Sequence, residues 1–358
     1  MNILIFGNID RYKFNQEFKI ACQFAKEGNE IYFVCNNKPS YIFNETLSDY
    51  PNLHLIFVKH GAYLYEYLSL DVHIDVCLGI DQSVVPFVAD FKRQTNIPSY
   101  CFFFDFPLFI IDGTDPLAYN VDYSQKFYYW LNCALELNGV IFGSKFARDE
   151  FYRLYKKDAE VVYWSSIDSD IFEQINKNNF PTNDYLFGCG AISRLKGAEL
   201  VLFAIEDKSY SYHHVYNVYE KFYLETFKLL ANSISNRIVL HVEASEEDKF
   251  HLLYNAKVVI HPQLTQWLGG KSIIEGMSVK TPGICFDYPI LRELYQDSCL
   301  YAKPGDRYDL RKKIQLLHSD DDLCKDLSDN GYNLFKEQYT INNTVKGFLK
   351  IMGVSSEN

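Results

Sequence analysis

The feature that most restricts the fold is a doubled beginning. A short apolar run closed by glycine and followed by a helical stripe opens the chain, and the same pattern restarts at Tyr185. Ile3-Leu4-Ile5-Phe6 shows no polar alternation, which suits a parallel strand buried on both faces, and Gly7-Asn8 breaks it. Phe18, Ala21, Cys22 and Ala25 then recur at helical spacing, Gly28 supplies a stop, and a second apolar run follows at 31–35. Strand, helix and strand in that order make a βαβ unit, the building block of a parallel sheet.

Further apolar runs at 53–58, 76–79, 100–104, 139–142 and 161–164 extend the first sheet, with 112–123 reading as a long loop. Residues 176–184, rich in Asn, Lys and Pro, read as a linker. Beyond it, 185–188, 237–241, 258–261 and 284–286 read as strands, and 245–256 and 272–279 as helices. The stretch 308–352 reads as mainly helical, with Leu310, Ile314 and Leu317 at core spacing. The expectation is an α/β chain of two doubly wound, Rossmann-like domains, 1–172 and 173–340, facing a cleft. Residues 341–358 are expected to form a helix and tail that pack back on the first domain. In such sheets, ligands bind beyond the carboxyl ends of the strands.

Length agrees with a division into two, because 358 residues exceed what one core usually serves. Aromatic residues make up 16% of the chain, which calls for large cores or aromatic-lined clefts. Thirty-five Lys and Arg stand against 46 Asp and Glu, most of the acidic excess falling in residues 1–172. That balance argues against general affinity for nucleic acid or an anionic membrane. The nine Cys include no CxxC pair and read as reduced thiols of a cytoplasmic protein. The apolar start is too short for a signal peptide, and the greasy stretch 100–111 is interrupted by Asp105 and Pro107, so no membrane span is expected.

Two segments of the second half carry chemistry. In Gly190-Ala191-Ile192-Ser193-Arg194-Leu195-Lys196-Gly197, a strand enters a glycine turn and two cations precede a helix expected near Ala198. A helix amino end offers unpaired N–H groups and positive partial charge, a seat for phosphate that Arg194 and Lys196 would reinforce. A loop with two solvated cations explains the same residues. The second segment follows strand 258–261, where Gly269 and Gly270 let backbone N–H groups approach an anion and Ser272 would cap the next helix. Glu275 lies in that helix's first turn, placed either to complement the helix field or to accept hydrogen bonds from a ribose diol. His213-His214 hints at a metal only faintly, since adjacent residues of a strand point apart and no third ligand is placed. Gly7-Asn8-Ile9-Asp10 lacks the glycine fingerprint of a nicotinamide dehydrogenase.

Together these segments resemble the retaining glycosyltransferases of the GT-B fold, in particular the glycosyltransferase family 4 group. Gly190, Lys196 and Gly197 match the family's first signature, with Ala191 in place of its arginine. Glu275 and Met277 match the second signature, Lys280-Thr281-Pro282-Gly283 resembles the lead-in to its next strand, and Trp267 replaces its first glutamate. Phe142-Gly143-Ser144-Lys145 is similar to the serine-led helix start of the first domain, and segments 165–172, 246–261 and 300–306 extend the likeness over nearly the whole chain.

The resemblance implies transfer of a sugar from a nucleotide-diphosphate sugar to an acceptor hydroxyl, with retention and without a metal or other cofactor. A UDP-sugar is favoured over a GDP-sugar. Lys196, Arg194, Gly269, Gly270, Lys271 and Ser272 would hold the diphosphate, with Gly7 and Asn8 approaching it from the first domain. Glu275 would hold the ribose and Trp267 would face the donor sugar. Pro98 to Asp105 resembles the family strand that ends in His-Asp, so Phe104 takes the histidine's place and Asp105 would orient or deprotonate the acceptor; a turn residue before Pro107 is the plainer reading of Asp105. Asp10, Asp81 and Asp112 are weaker candidates, and Lys145 and Arg148 serve either the ligand or an exposed helix face. The acceptor is open among glycan, lipid-linked sugar, protein, small molecule and, least favoured, modified DNA. Ala191, Phe104 and Trp267 also fit a catalytically silent partner of an active glycosyltransferase, and a nucleotide-sugar epimerase shares the architecture.

Overall fold

A computed structural model describes residues 1–7, 16–35, 47–58, 72–104, 121–176, 184–206, 210–217, 219–234, 237–265 and 271–354. The chain divides into two units, the first comprising Met1–Ser166 with Thr340–Asn358 and the second Ile167–Tyr339. Each is a doubly wound parallel α/β sheet.

In the first unit, strands β1 (Asn2–Phe6), β2 (Glu30–Cys35), β3 (Leu53–Phe57), β4 (Val76–Ile80), β5 (Ser99–Phe103), β6 (Gly139–Phe142) and β7 (Glu160–Val161) form a seven-stranded sheet in the order β3-β2-β1-β4-β5-β6-β7. Alternation along β1 serves both faces. Ile3 and Ile5 pack with Phe18, Ala21 and Phe24 of α1 (Gln16–Lys26), whereas Leu4 and Phe6 pack on the other side. That second layer holds α2 (Val85–Thr95), α3 (Val121–Ala134) and α4 (Lys145–Tyr155), contributing Val88, Phe127 and Phe151. Ser144 caps α4, its hydroxyl accepting from the Ala147 N–H at 3.1 Å. Helix α3 corrects the reading of 112–123 as one loop, since the helix has begun at Val121. Phe127, Leu131 and Ala134 carried its helical spacing.

The last helix of the chain, Ile341–Ile351, belongs to this unit. Its Gly347 lies against Val162, where an added Cβ would stand 3.2 Å from the valine. Its Thr344 Oγ1 donates to the Tyr163 carbonyl at 3.1 Å and accepts from the Ser165 N–H at 2.9 Å.

In the second unit, β8 (Tyr185–Cys189), β9 (Ser211–Tyr216), β10 (Ile238–Val242), β11 (Val258–His261), β12 (Gly283–Phe286) and β13 (Cys299–Ala302) are ordered β10-β9-β8-β11-β12-β13. The sequence reading does not include β9 and β13 as strands: Ser211-Tyr212-His213-His214 is too polar, and Leu300-Tyr301-Ala302 enters it only as part of the segment 300–306. In chain order, the unit's described helices are α5 (Ile171–Asn176), α6 (Ala198–Ile205), α7 (Lys221–Ile234), α8 (Glu246–Tyr254), α9 (Lys271–Ser278), α10 (Pro289–Tyr295), α11 (Arg307–Ser319) and α12 (Asp321–Gln338), so Ile341–Ile351 is α13. Leu310, Ile314 and Leu317 of α11 enter a core with Leu186, Ile260 and Ile284. Among the described residues, no helix is long and apolar enough to cross a membrane.

Candidate functional site

Each sheet has one place where successive strands turn from building outward on one side to building on the other. In the second unit this lies between β8 and β11, which pair in parallel through Leu186–Val258 and Phe187–Val259. Such a switch point, beyond the carboxyl ends of the strands, is the general ligand position of doubly wound sheets. Both chemistry-bearing segments are the loops that leave these two strands.

The loop after β8 turns at Gly190, whose φ of 135° excludes a side chain without strain. Arg194–Lys196 then form a single 3-10 turn, and Gly197, at φ 61°, joins that turn to α6. Gly197 is also required for space, because a Cβ there would stand 2.3 Å from the Pro262 carbonyl oxygen in the loop after β11. The two loops are therefore in backbone contact. The Leu264 N–H donates to the Leu195 carbonyl at 2.9 Å. The Lys196 ammonium donates to Gln263 Oε1 at 2.7 Å, and Gln263 Nε2 donates to the Thr265 carbonyl at 2.9 Å. The Tyr288 hydroxyl anchors the same loop through the Leu264 carbonyl.

A buried chain braces the glycine turn from beneath. Burial drives the His214 pKa down to about 4, against the opposing bond to the Gly190 carbonyl. The ring is therefore neutral near pH 7, and a carbonyl can only accept, so Nε2 carries the hydrogen toward Gly190 at 3.1 Å. Nδ1 is then the acceptor for the Tyr212 hydroxyl at 2.7 Å. His214 is thus a core histidine with both ring nitrogens employed. His213 stacks on Tyr185 and meets His241, with 3.1 Å between Nδ1 and Nε2. Among the described residues, no group of three or more His, Cys, Asp or Glu is gathered to hold a metal.

Glu275, in α9, faces Lys249 of α8, with Oε1 to Nζ at 2.8 Å and side-chain exposures of only 11% and 17%. Burial is the largest influence and opposes the Lys249 charge, but Glu275, with smaller contributions from Cys189 and Glu246, raises the ammonium pKa above its ordinary value. Cys189, at the end of β8, feels the same pair: burial first and Glu275 second push its thiol up to about 12. The thiol is therefore neutral near pH 7. Sequence reading missed Lys249 because only the packing of α8 against α9 brings it to Glu275. Ser272 lies inside α9, whose first residue is Lys271, which corrects the expectation that it caps the helix; its hydroxyl meets His261 Nδ1 at 3.0 Å. Trp267, Gly269 and Gly270 lie outside the described residues.

The first unit has its own switch point, between β1 and β4. Gly7 follows β1, and a Cβ there would approach the buried Phe33 ring to 2.6 Å, so a larger residue would force that ring to shift. Asp81 follows β4 at φ 111° and accepts from the Ser83 N–H at 2.7 Å and from the Ser83 hydroxyl. Burial raises its carboxyl pKa, and these bonds oppose the rise. Phe104 packs edge-on to Trp164 and Phe102, at ring separations of 4.9 and 5.1 Å. Arg148 pairs with the adjacent Asp149 on an exposed face of α4. Lys145 is the first residue of α4. Asn8, Asp10, Asp105 and Asp112 lie outside the described residues.

Comparison with known proteins bears on the same segments. Residues 170–334 match the family model described as "Glycosyl transferases group 1". An uncharacterized glycosyltransferase of Methanocaldococcus jannaschii is 24% identical over 266 residues, covering 73% of this chain and 69% of the relative. Among solved structures, sucrose-phosphate synthase from Thermosynechococcus elongatus aligns with a TM-score of 0.80 at 14% identity, covering 99% of this chain and 100% of that one. HepE from Anabaena, in complex with UDP and glucose, aligns with a TM-score of 0.80 at 13% identity over 99% of this chain and 100% of its own. The two doubly wound units have the GT-B architecture, and the domain match together with these likenesses supports a glycosyltransferase.

Proposed function

We propose that the chain transfers a sugar from a nucleotide-diphosphate sugar to an acceptor hydroxyl, with retention at the anomeric carbon and without a bound metal. The observation that carries this reading is the junction of the two loops at the β8–β11 switch point. There Lys196 stands between a glycine turn and the loop after β11, inside the segment matched by the glycosyltransferase family. As the bond between the anomeric carbon and the diphosphate oxygen breaks, negative charge grows on the departing nucleoside diphosphate. Lys196, Arg194 and the amino end of α6 are the groups assigned to stabilise it, which is electrostatic catalysis by preorganised donors. Lys271, Ser272 and the glycines 269 and 270 would complete the anion site.

Glu275 is assigned to the ribose hydroxyls. Its pairing with Lys249 supports this, because the 2.8 Å contact fixes the orientation of a nearly buried acceptor group. Asp105 is assigned to the acceptor hydroxyl, which it would orient or deprotonate. Trp267 is assigned to the donor sugar, where an indole offers a stacking face. The UDP and glucose bound by HepE support a UDP-sugar as donor.

One observation favours a second reading, a catalytically silent partner of an active glycosyltransferase. Phe104 stands where the resembling family has histidine and spends its ring on packing against Trp164 and Phe102. A single experiment separates the two readings. The purified chain is screened against nucleotide sugars for a rise in Tm, since a ligand bound only by the folded state stabilises it. Release of nucleoside diphosphate from the donor that binds is then followed. Binding with release supports the enzyme, binding without release on any acceptor supports the silent partner, and absence of any Tm shift contradicts both.

A further inference from the structure

Gly190 directs both polar groups of its backbone toward β9. Its N–H donates to the Val215 carbonyl at 3.0 Å, and its carbonyl accepts from His214 Nε2 at 3.1 Å. His214 is itself held, being 4% exposed and accepting from the Tyr212 hydroxyl at Nδ1, 2.7 Å away. With Nδ1 occupied as an acceptor, the single hydrogen of the neutral ring stays on Nε2 and is committed to Gly190. Gly188 leaves room for this pair, since a Cβ there would lie 2.6 Å from His214 Nδ1 and would also strike the Tyr212 hydroxyl.

The consequence lies on the other side of the same peptide unit. In a trans peptide the carbonyl and the following N–H point in opposite directions, and no peptide bond among the described residues is cis. A Gly190 carbonyl turned toward β9 therefore turns the Ala191 N–H away from β9, to the side of β8 on which β11 and the switch point lie. A strand running on in register would spend that N–H on β11. Here the chain turns at Gly190, and among the described residues no backbone carbonyl receives the Ala191 N–H. Glycine's conformational freedom would let this peptide rotate, so the bond from His214 is what selects one orientation.

We propose that His214 is a positioning residue whose bond to the Gly190 carbonyl aims the Ala191 N–H at the switch point as a hydrogen-bond donor to the nucleotide diphosphate. A donor aimed in advance at an anionic oxygen makes a charge-assisted bond without reorganising on binding. The inference rests on the reading of the β8–β11 junction as a diphosphate site, and the test separates the two.

The full chain, labelled with nitrogen-15 at alanine, is titrated with UDP and with uridine, the Ala191 signal being identified by its loss in Ala191→Gly. UDP is expected to move the Ala191 amide proton downfield, and uridine to leave it in place. Calorimetric titrations of His214→Leu and His214→Gln follow, with folding checked by circular dichroism. His214→Leu is expected to raise the Kd for UDP about fivefold or more while uridine affinity stays within about twofold. His214→Gln, which offers an amide N–H in place of Nε2, is expected to return UDP affinity to within about twofold of wild type.

Wild-type chain that binds UDP without moving the Ala191 signal overturns the proposal, and this result is read even where no His214 variant folds. A folded His214→Leu that loses UDP and uridine affinity together, or loses neither, also overturns it, as does a folded His214→Gln that binds no better than His214→Leu. No UDP binding by the wild-type chain instead removes the underlying reading of the junction.

Discussion

Lys249 Nζ and Glu275 Oε1 lie 2.8 Å apart, nearly buried in the second unit, and form its most enclosed acid–base contact among the described residues. Two charges taken out of water at this depth depend on each other. Loss of one partner leaves an uncompensated buried ion, whereas loss of both removes the difficulty. Lys249→Met is therefore expected to destabilise the chain by about 3 kcal/mol in urea unfolding, and the Lys249→Met, Glu275→Leu double variant to recover most of that. A single variant within about 0.5 kcal/mol of wild type contradicts the pairing.

His214 makes stability depend on pH with a definite sign. Its folded pKa of about 4 lies below the ordinary 6.5, so between these values the unfolded chain binds the extra proton. Stability is then full above pH 6.5 and falls as the pH drops toward 4, by an amount on the order of 3 kcal/mol from this ring. His214→Asn is expected to flatten the pH dependence of urea unfolding across that window. An imidazole signal of His214 titrating near 6.5 in the folded protein contradicts it.

Gly197 and Gly28 separate conformational strain from steric conflict. Both have positive φ, but a Cβ at Gly28 meets nothing within 4 Å, whereas one at Gly197 meets the Pro262 oxygen at 2.3 Å. Gly28→Ala is expected to cost about 1 kcal/mol. Gly197→Ala is expected to cost about 2 kcal/mol or more and to weaken UDP binding, because the loops bearing Lys196 and Gln263 must separate. Equal costs for the two variants, with UDP binding intact, contradict the described contact.

Asp105 is assigned to the acceptor side, so Asp105→Asn is expected to slow transfer by about 100-fold or more while UDP affinity stays within about twofold. Steady-state transfer rates and calorimetric UDP titration check this. Parallel loss of both indicates a folding role.

The strands of the second sheet that flank the site were legible because β8 and β11 are unbroken apolar runs that end in glycine or proline turns. Helix α6 begins at Ala198, where the placing of Gly197 suggested. β9 was illegible for a physical reason. His213 and His214 read as polar, and only the Tyr212 hydroxyl and the Gly190 carbonyl, brought in by neighbouring backbone, make a buried histidine tolerable. The braces of the site were hidden in the same way. Nothing in the spacing of Gln263 or Lys249 points to Lys196 or Glu275, since those contacts arise from the pairing of β8 with β11 and of α8 with α9. Ser272 was misread as a cap because its residue type suits that role, while its hydroxyl is used on His261.

The central claim is that the β8–β11 junction binds a nucleoside diphosphate through Lys196. Calorimetric titration of UDP into the wild-type chain and into Lys196→Ala tests it most directly. A Kd raised by about 10- to 100-fold in the variant is the expected result, the loss of one charge-assisted contact. An unchanged Kd would contradict the account.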